Sequence, residues 1–407
     1  MSSPTPTSTP ASSGYRALLG IPGARAFFLA AAVGRVGLAM TGIGLLWLVH
    51  ARTGSYGTAG LATAGFAVAE ALIGPQLARL VDRRGQGRVL PFCLLAHAIA
   101  VGNVLATTQA ATLIAAATCA GAAVPQLGAY SAARWAHLLR DERAGELSTA
   151  FSLESLANAT AFLLGPVLVT ALGAAGHERL ASTLAASLIL IGGGTLAAQR
   201  RTAPQPAPRR TQDVDDPHSC LLRPVFLRLA ALNLAIGVYF GTMSVSISAF
   251  AVQHGSPGSA APITAAASLS GLLAGWLYGL GRSDPPPTHA RLVIITAYLT
   301  ATSLLLPLAP SVPWLTLAVI LTEVAVPPTL VLLNVLTENS VHPTVLTQAL
   351  TWNNSASAAG SALAASLAGR TADHLGASAA FTLAPLAGLT LLLLAAHARA
   401  LQRAATR

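Results

Sequence analysis

Apolar runs of about 20 residues or more recur along the whole chain, and each is long enough to cross a hydrocarbon layer roughly 30 Å thick. This feature leaves few folds open. In lipid every backbone polar group must be bonded internally, so only helices and closed barrels span. A spanning barrel would show alternating segments of about ten residues, and no such alternation occurs here. Only 9% of the residues are charged, against about 25% in a soluble domain. The chain is therefore expected to be an all-α membrane protein.

Twelve spans are predicted, near 27–50, 57–78, 88–108, 111–133, 149–173, 179–198, 229–252, 261–281, 291–308, 313–335, 346–369 and 377–397. Short links such as "ARTGSYG" and "APSVP" hold the turn formers. One long polar stretch contains "RRTAPQPAPRRTQDVDDPHS", too rich in Pro and charge to pack a core. The predicted organisation is a disordered tail (1–26), a six-helix bundle (27–198), a linker (199–228), a second six-helix bundle (229–397) and a short tail (398–407). The first apolar run is too long for the core of a cleaved signal peptide.

All 24 basic residues are Arg, and the formal charge is +10. With the N-terminus placed inside, 20 of them fall in inner segments, three (Arg52, Arg179, Arg370) fall outside, and Arg35 lies within a span. Basic residues are retained on the cytoplasmic side, so both termini and the linker are expected to be cytoplasmic. The charge reads as topology and not as a nucleic-acid footprint. Cys93, Cys119 and Cys220 show neither CxxC spacing nor a paired framework, so no disulfide scaffold, metal site or cofactor is expected.

The chain also repeats itself. "GSYGTAG" (54–60) recurs as "GSPGSAA" (255–261) and Gly74 as Gly275, both at an offset of 201; "AVP" (123–125) recurs at 325–327, an offset of 202. Six-plus-six duplication around a central linker is a common plan of secondary transporters.

Between spans 2 and 3 stands "ARLVDRRGQGRVL" (78–90). It resembles the signature loop of the major facilitator superfamily, Gly-x-Leu-x-Asp-Arg-x-Gly-Arg-Arg. Leu80, Asp82, Arg83 and Gly85 match; Ala78, Gln86 and Gly87 depart, and Arg88 follows one step late. The resemblance extends over nearly the whole chain and implies two pseudo-symmetric six-helix bundles. It also implies that Asp82, with Arg83, Arg84, Gly85 and Arg88, helps close the inner gate. Asp82 is expected near the start of span 11, around Thr347, with Arg134 as its charge partner. The second copy of the loop, "YGLGRSD" (278–284), keeps Arg282 but has no Asp-Arg pair.

Gly165-Pro166 in span 5 resembles the Gly-Pro of drug–proton antiporters and reads equally well as a helix bend. The antiporters' Arg within span 4 is absent from "LIAAATCAGAAVPQLG". Gly271, Gly275 and Gly279 form a ridge at four-residue spacing, suited to close helix packing.

Ionisable groups within spans are functional candidates by default. Arg35 and Glu70 each lie about nine residues from the inner side, roughly 13 Å deep, and are expected to pair, either structurally or as substrate and proton contacts. Glu154 is expected to line the inner half of a cavity or to snorkel to the interface. Glu323, just ahead of Pro327-Pro328, is a proton-coupling candidate or a helix-capping group. In the family, spans 1, 4, 7 and 10 line the cavity, flanked by 2, 5, 8 and 11. Asn233, Tyr239, Trp352 and Asn353 are cavity-lining candidates, with packing as the alternative for the aromatic pair.

The resulting expectation is a monomeric secondary transporter of a bacterial plasma membrane, exporting a small organic substrate in exchange for protons. Uptake of a metabolite such as a sugar or organic ion is the alternative within the class. A transport-inactive sensor or a membrane-embedded enzyme are the alternatives outside it. The ten His are scattered and no Gly-x-Ser-x-Gly or His-x-x-Glu-His occurs; without Lys no nucleotide loop is possible either.

Overall fold

A computed structural model describes residues 14–206, 221–280 and 287–405. The first 13 residues of the expected tail, 207–220 of the expected linker with Cys220, and 281–286 with Arg282 lie outside the described residues.

The described chain is helical throughout its length. A short helix, α1 (Tyr15–Leu19), precedes α2 (Ala24–Thr53), α3 (Tyr56–Arg84) and α4 (Gln86–Ala106). The fourth span is broken into α5 (Ala110–Ala123) and α6 (Leu127–Leu138); α7 (Leu147–Ala174) and α8 (Glu178–Ala198) complete the first six. The second six are α9 (Pro224–Gln253), α10 (Ala260–Leu280), α11 (Thr288–Ser303), the broken pair α12 (Val312–Glu323) and α13 (Val326–Ser340), α14 (Leu346–Leu375), and α15 (Ala377–Ala380) with α16 (Leu383–Ala405).

Among the described residues ten stretches are long and apolar enough to cross a bilayer. The other two expected spans have plain reasons for falling short. α11 has only 16 residues. α14 is 30 residues long but carries "TQALTWNNSAS" in its first half. Those polar groups are tolerable because α14 lies inside the bundle, packed along α9 and across to α3.

The duplication is visible in the backbone. Spans 4 and 10 both break at the repeated Ala-Val-Pro: α5 ends two residues before Pro125, and α12 ends four residues before Pro327. Proline supplies no N–H and crowds the preceding turn, so the same tripeptide produces the same interruption in each half. A tight joint occurs at Gly85, which links α3 to α4 at φ 89° and ψ 145°. Only glycine occupies that region without strain.

The halves meet along α3–α14 and α7–α10. At the Asp82 end they share one apolar cluster. It includes Leu18, Phe27, Val81, Trp135 and Phe151 from the first half and Val331, Val345, Leu346 and Leu350 from the second. At the opposite end the corresponding cluster, with Leu48, Phe66, Val104 and Leu113, draws on the first half alone. The apolar seal between the halves thus lies at the Asp82 end.

Candidate functional site

Asp82 sits near the C-terminus of α3 and faces the first turn of α14. Its Oδ2 accepts the backbone N–H of Gln348 at 2.9 Å. Thr347 adds its hydroxyl and amide to the same carboxylate. The first N–H groups of a helix have no partner within it and favour an anion. Asp82 is thus an N-cap supplied to the second half by the first.

Arg134 does not pair with Asp82. It is fully buried, and its donors are taken elsewhere. Nε donates to Gln86 Oε1 (2.7 Å), Nη1 to Gln199 O and Thr202 Oγ1 (each 2.8 Å), and Nη2 to Leu196 O (2.8 Å). Leu196 and Gln199 stand at the end of α8, where unpaired carbonyls attract a cation. Gln86, at a position where the family signature is basic, also donates to Tyr130 O at 3.2 Å. It ties the start of α4 to α6 in place of a second positive charge. Arg83, Arg84 and Arg88 are exposed.

The expected Arg35–Glu70 pair is not formed. Arg35 instead makes an ion pair with Glu154 of α7, both side chains being buried. Its Nη1 also donates to Glu154 O at 3.1 Å and its Nη2 to Gly128 O at 3.4 Å. Glu154 Oε1 accepts from Ser131 Oγ (2.6 Å) and Trp135 Nε1 (2.8 Å). Residue counting fixes a group's depth but not its azimuth, and Arg35 points toward α6 and α7, away from α3. The pair is internal to the first half. A buried pair with its remaining oxygens hydrogen-bonded is a rigid element that tolerates loss of neither partner.

Of the three glutamates expected within spans, Glu70 and Glu323 have no ion pair with an arginine among the described residues. Glu70 Oε1 accepts from Gln126 Nε2 at 3.0 Å, at the break between α5 and α6. Glu323 closes α12, and its Oε1 accepts from the Tyr239 hydroxyl at 3.1 Å. Tyr239 is itself fully buried.

The other cavity candidates turn inward. Asn233 donates to Leu229 O of its own helix at 2.8 Å, and Asn353 to Thr337 Oγ1 of α13 at 2.8 Å. Both are buried, as is Tyr239. Only Trp352 of the four keeps partial exposure, packed against the shared cluster.

The glycines make close helix contacts. A Cβ at Gly165 would lie 2.7 Å from Ala39 Cβ, and α7 runs unbroken through Pro166. Gly271 and Gly275 face Pro327, and Gly279 faces Tyr15 and Ser152. The Tyr15 hydroxyl donates to Trp276 O at 2.9 Å, which ties α1 to the second half. Burial pushes this phenol up to about 12. The sequence reading missed a tighter set: Gly237 and Gly241 of α9 would each place a Cβ 2.0 Å from a carbonyl of α14 (Ser357, Ser361), and Gly360 answers from α14 at 2.1 Å from Leu234 O. The signal was the four-residue spacing in "AIGVYFGTM".

No curated protein sequence matches the chain. Solved structures do. The human organic anion transporter MFSD10 (TETRAN) superposes with a TM-score of 0.71 at 17% identity, covering 91% of this chain and 98% of that one. A bacterial homologue of the iron transporter ferroportin, in an outward-facing state, gives 0.71 at 13% identity, covering 92% and 99%. The E. coli fucose:proton symporter FucP gives 0.72 at 13% identity, covering 93% and 98%. These identities speak for the fold alone. The sequence profile of the Major Facilitator Superfamily matches residues 27–365. With its two helical halves joined at the Asp82 loop, the chain belongs to the major facilitator superfamily of membrane transporters.

Proposed function

We propose that this transporter exports a small organic compound in exchange for protons, by alternating access, from the cytoplasm of a bacterium. The observation that carries the proton part is Glu323. It is a carboxylate within a spanning segment that has a single neutral donor, Tyr239, and no arginine among the described residues. Arg35 and Glu154 neutralise each other and serve as scaffold, so the exchangeable proton falls to groups without a counter-ion. The organic cargo would contact the partly exposed Trp352 as it passes between the halves.

Alternating access follows from where the halves are sealed. Asp82 caps α14 across the boundary, above an apolar cluster that both halves build. In the cycle that contact breaks, the Asp82 end parts and the opposite end closes. The arginine distribution supports a cytoplasmic location for the Asp82 end and both termini, and bundle boundaries near 27–198 and 229–397 belong to the same reading. The export direction is supported by the Gly165-Pro166 resemblance to drug–proton antiporters.

Metabolite and drug profiling of cells with and without the protein would identify the cargo. Its flux in sealed inverted vesicles is then measured with and without a protonophore. Proton-driven accumulation that collapses with the gradient is the expected result. Unchanged flux after collapse refutes proton coupling, and accumulation in right-side-out vesicles instead reverses the direction.

A further inference from the structure

The halves can be compared contact by contact. In the first, a Cβ at Gly74 would lie 3.4 Å from Gln126 Nε2, at the break in span 4. In the second, a Cβ at Gly275 would lie 3.2 Å from Pro327 Cβ, beside the break in span 10. Gly74 and Gly275 differ by 201, and the repeated Ala-Val-Pro aligns Pro327 with Pro125, the residue before Gln126, at 202. A Cβ at each glycine would also approach the other half, from Gly74 to Thr351 at 3.5 Å and from Gly275 to Leu156 at 3.7 Å. Span 2 against the break of span 4 and span 8 against the break of span 10 are therefore equivalent joints.

One helical turn before each glycine the joint holds a carboxylate, but from opposite sides. In the first half it is Glu70, on span 2, bonded to Gln126 at the break. The equivalent position in the second half is Gly271, which offers no carboxyl. Opposite it stands Glu323, whose Oε2 would lie 3.7 Å from a Cβ at Gly271. By the Ala-Val-Pro alignment the position equivalent to Glu323 in the first half is Gly121, again without a carboxyl. Each joint thus has one acid.

We propose that Glu70 and Glu323 form a matched pair of proton sites, one in each half, at pseudo-equivalent joints. This rests on the proton-coupled reading and adds to it a count, two protons per cycle and not one. Each carboxylate takes a proton from hydronium, one O–H bond forming on the carboxylate as one breaks in the donor, and returns it to water by the reverse step. The partners select a proton over a metal cation. Tyr239 donates to its acid and Gln126 presents an amide N–H, whereas a hard cation requires several oxygen acceptors. Among the described residues no cluster of three metal-ligating side chains exists. The groups facing Glu323 are Tyr239 from α9 and Gly271 from α10. Those around Glu70 are Gln126 from the span 4 break, with Thr351 and Ser355 of α14 on neighbouring turns. Tyr239 is the one titratable side chain among them.

The test reads protonated carboxyls directly. The full chain in lipid nanodiscs is titrated with pH under infrared difference spectroscopy, following the carboxylic C=O stretch. Glu70→Gln is expected to remove one titrating band and Glu323→Gln a different one. Tyr239→Phe should shift only the band that Glu323→Gln removes, and Gln126→Leu only the other. If either glutamine variant leaves every titrating band in place, the pair is overturned. If a glutamine variant fails to fold, a band that its partner variant does not move overturns the pair equally. Two bands with a protonophore-insensitive flux would refute proton coupling and leave the matched sites standing.

Discussion

Removing the Asp82 carboxylate should open the end of the molecule that it holds shut. Its Oδ2 accepts the Gln348 N–H at 2.9 Å across the boundary between the halves. A hydrogen bond to a charged group contributes about 1.5–3 kcal/mol, and an anion at a helix N-terminus gains about 0.3–1 kcal/mol. These effects overlap, so we take about 2 kcal/mol for the whole contact. The contact exists only while the halves meet at this end. Its loss therefore falls on the open–closed equilibrium and shifts the ratio about 30-fold toward the open state. Asp82→Asn keeps a neutral acceptor, loses about half of that energy, and should shift the ratio about fivefold. Spin labels at the exposed positions 88 and 339, on either side of the seal and in a background with the three cysteines replaced, report the distance by electron–electron double resonance. The expected order of the long-distance population is Asp82→Ala above Asp82→Asn above the parent. If Asp82→Ala leaves the distance distribution unchanged, the cap does not hold the end closed and the reasoning fails.

Other sites give further tests. Glu154→Gln strands the buried Arg35 guanidinium and should cost about 3–5 kcal/mol, seen as a lower thermal midpoint in detergent; the double change to Met at both positions should cost less than the single one. Gly241→Ala drives a methyl toward Ser361 O of α14 and should cost about 1–3 kcal/mol, while Gly42→Ala, with nothing within 4 Å, should leave the midpoint in place. Gly85→Ala forces a side chain into φ 89° at a cost of about 1–3 kcal/mol, and the spin-label distance should broaden because the α3–α4 joint orients Asp82.

Much of the fold was legible because a bilayer reduces folding to span length and polarity. Those two quantities located the helices, and the repeated Ala-Val-Pro gave the duplication, while the interruptions that it produces in spans 4 and 10 were not read. The side-chain partners were harder to read. Arg35 and Glu70 match in depth, but an α-helix advances about 100° per residue, and the face each presents depends on packing angles that no count supplies. Arg134 was paired by sign with the nearest acid of the signature loop. The stronger attraction came from backbone carbonyls at the end of α8, which carry no mark in the sequence. Tyr239 looked like an aromatic contact for cargo; its hydroxyl is instead committed to Glu323, some 84 residues away.

Tyr15 gives the short α1 a mechanical part. It reaches from the first half into the second, with its hydroxyl on Trp276 O and its ring against Gly279. Any motion that separates α7 from α10 at this end must unseat it, so the segment ahead of α2 works as a strap and adds friction to opening. A fluorescent reporter fused ahead of Gly14 pulls on that strap at every turn of the cycle. One fused behind α16 does not, and kinetics recorded with the two constructions would describe different machines.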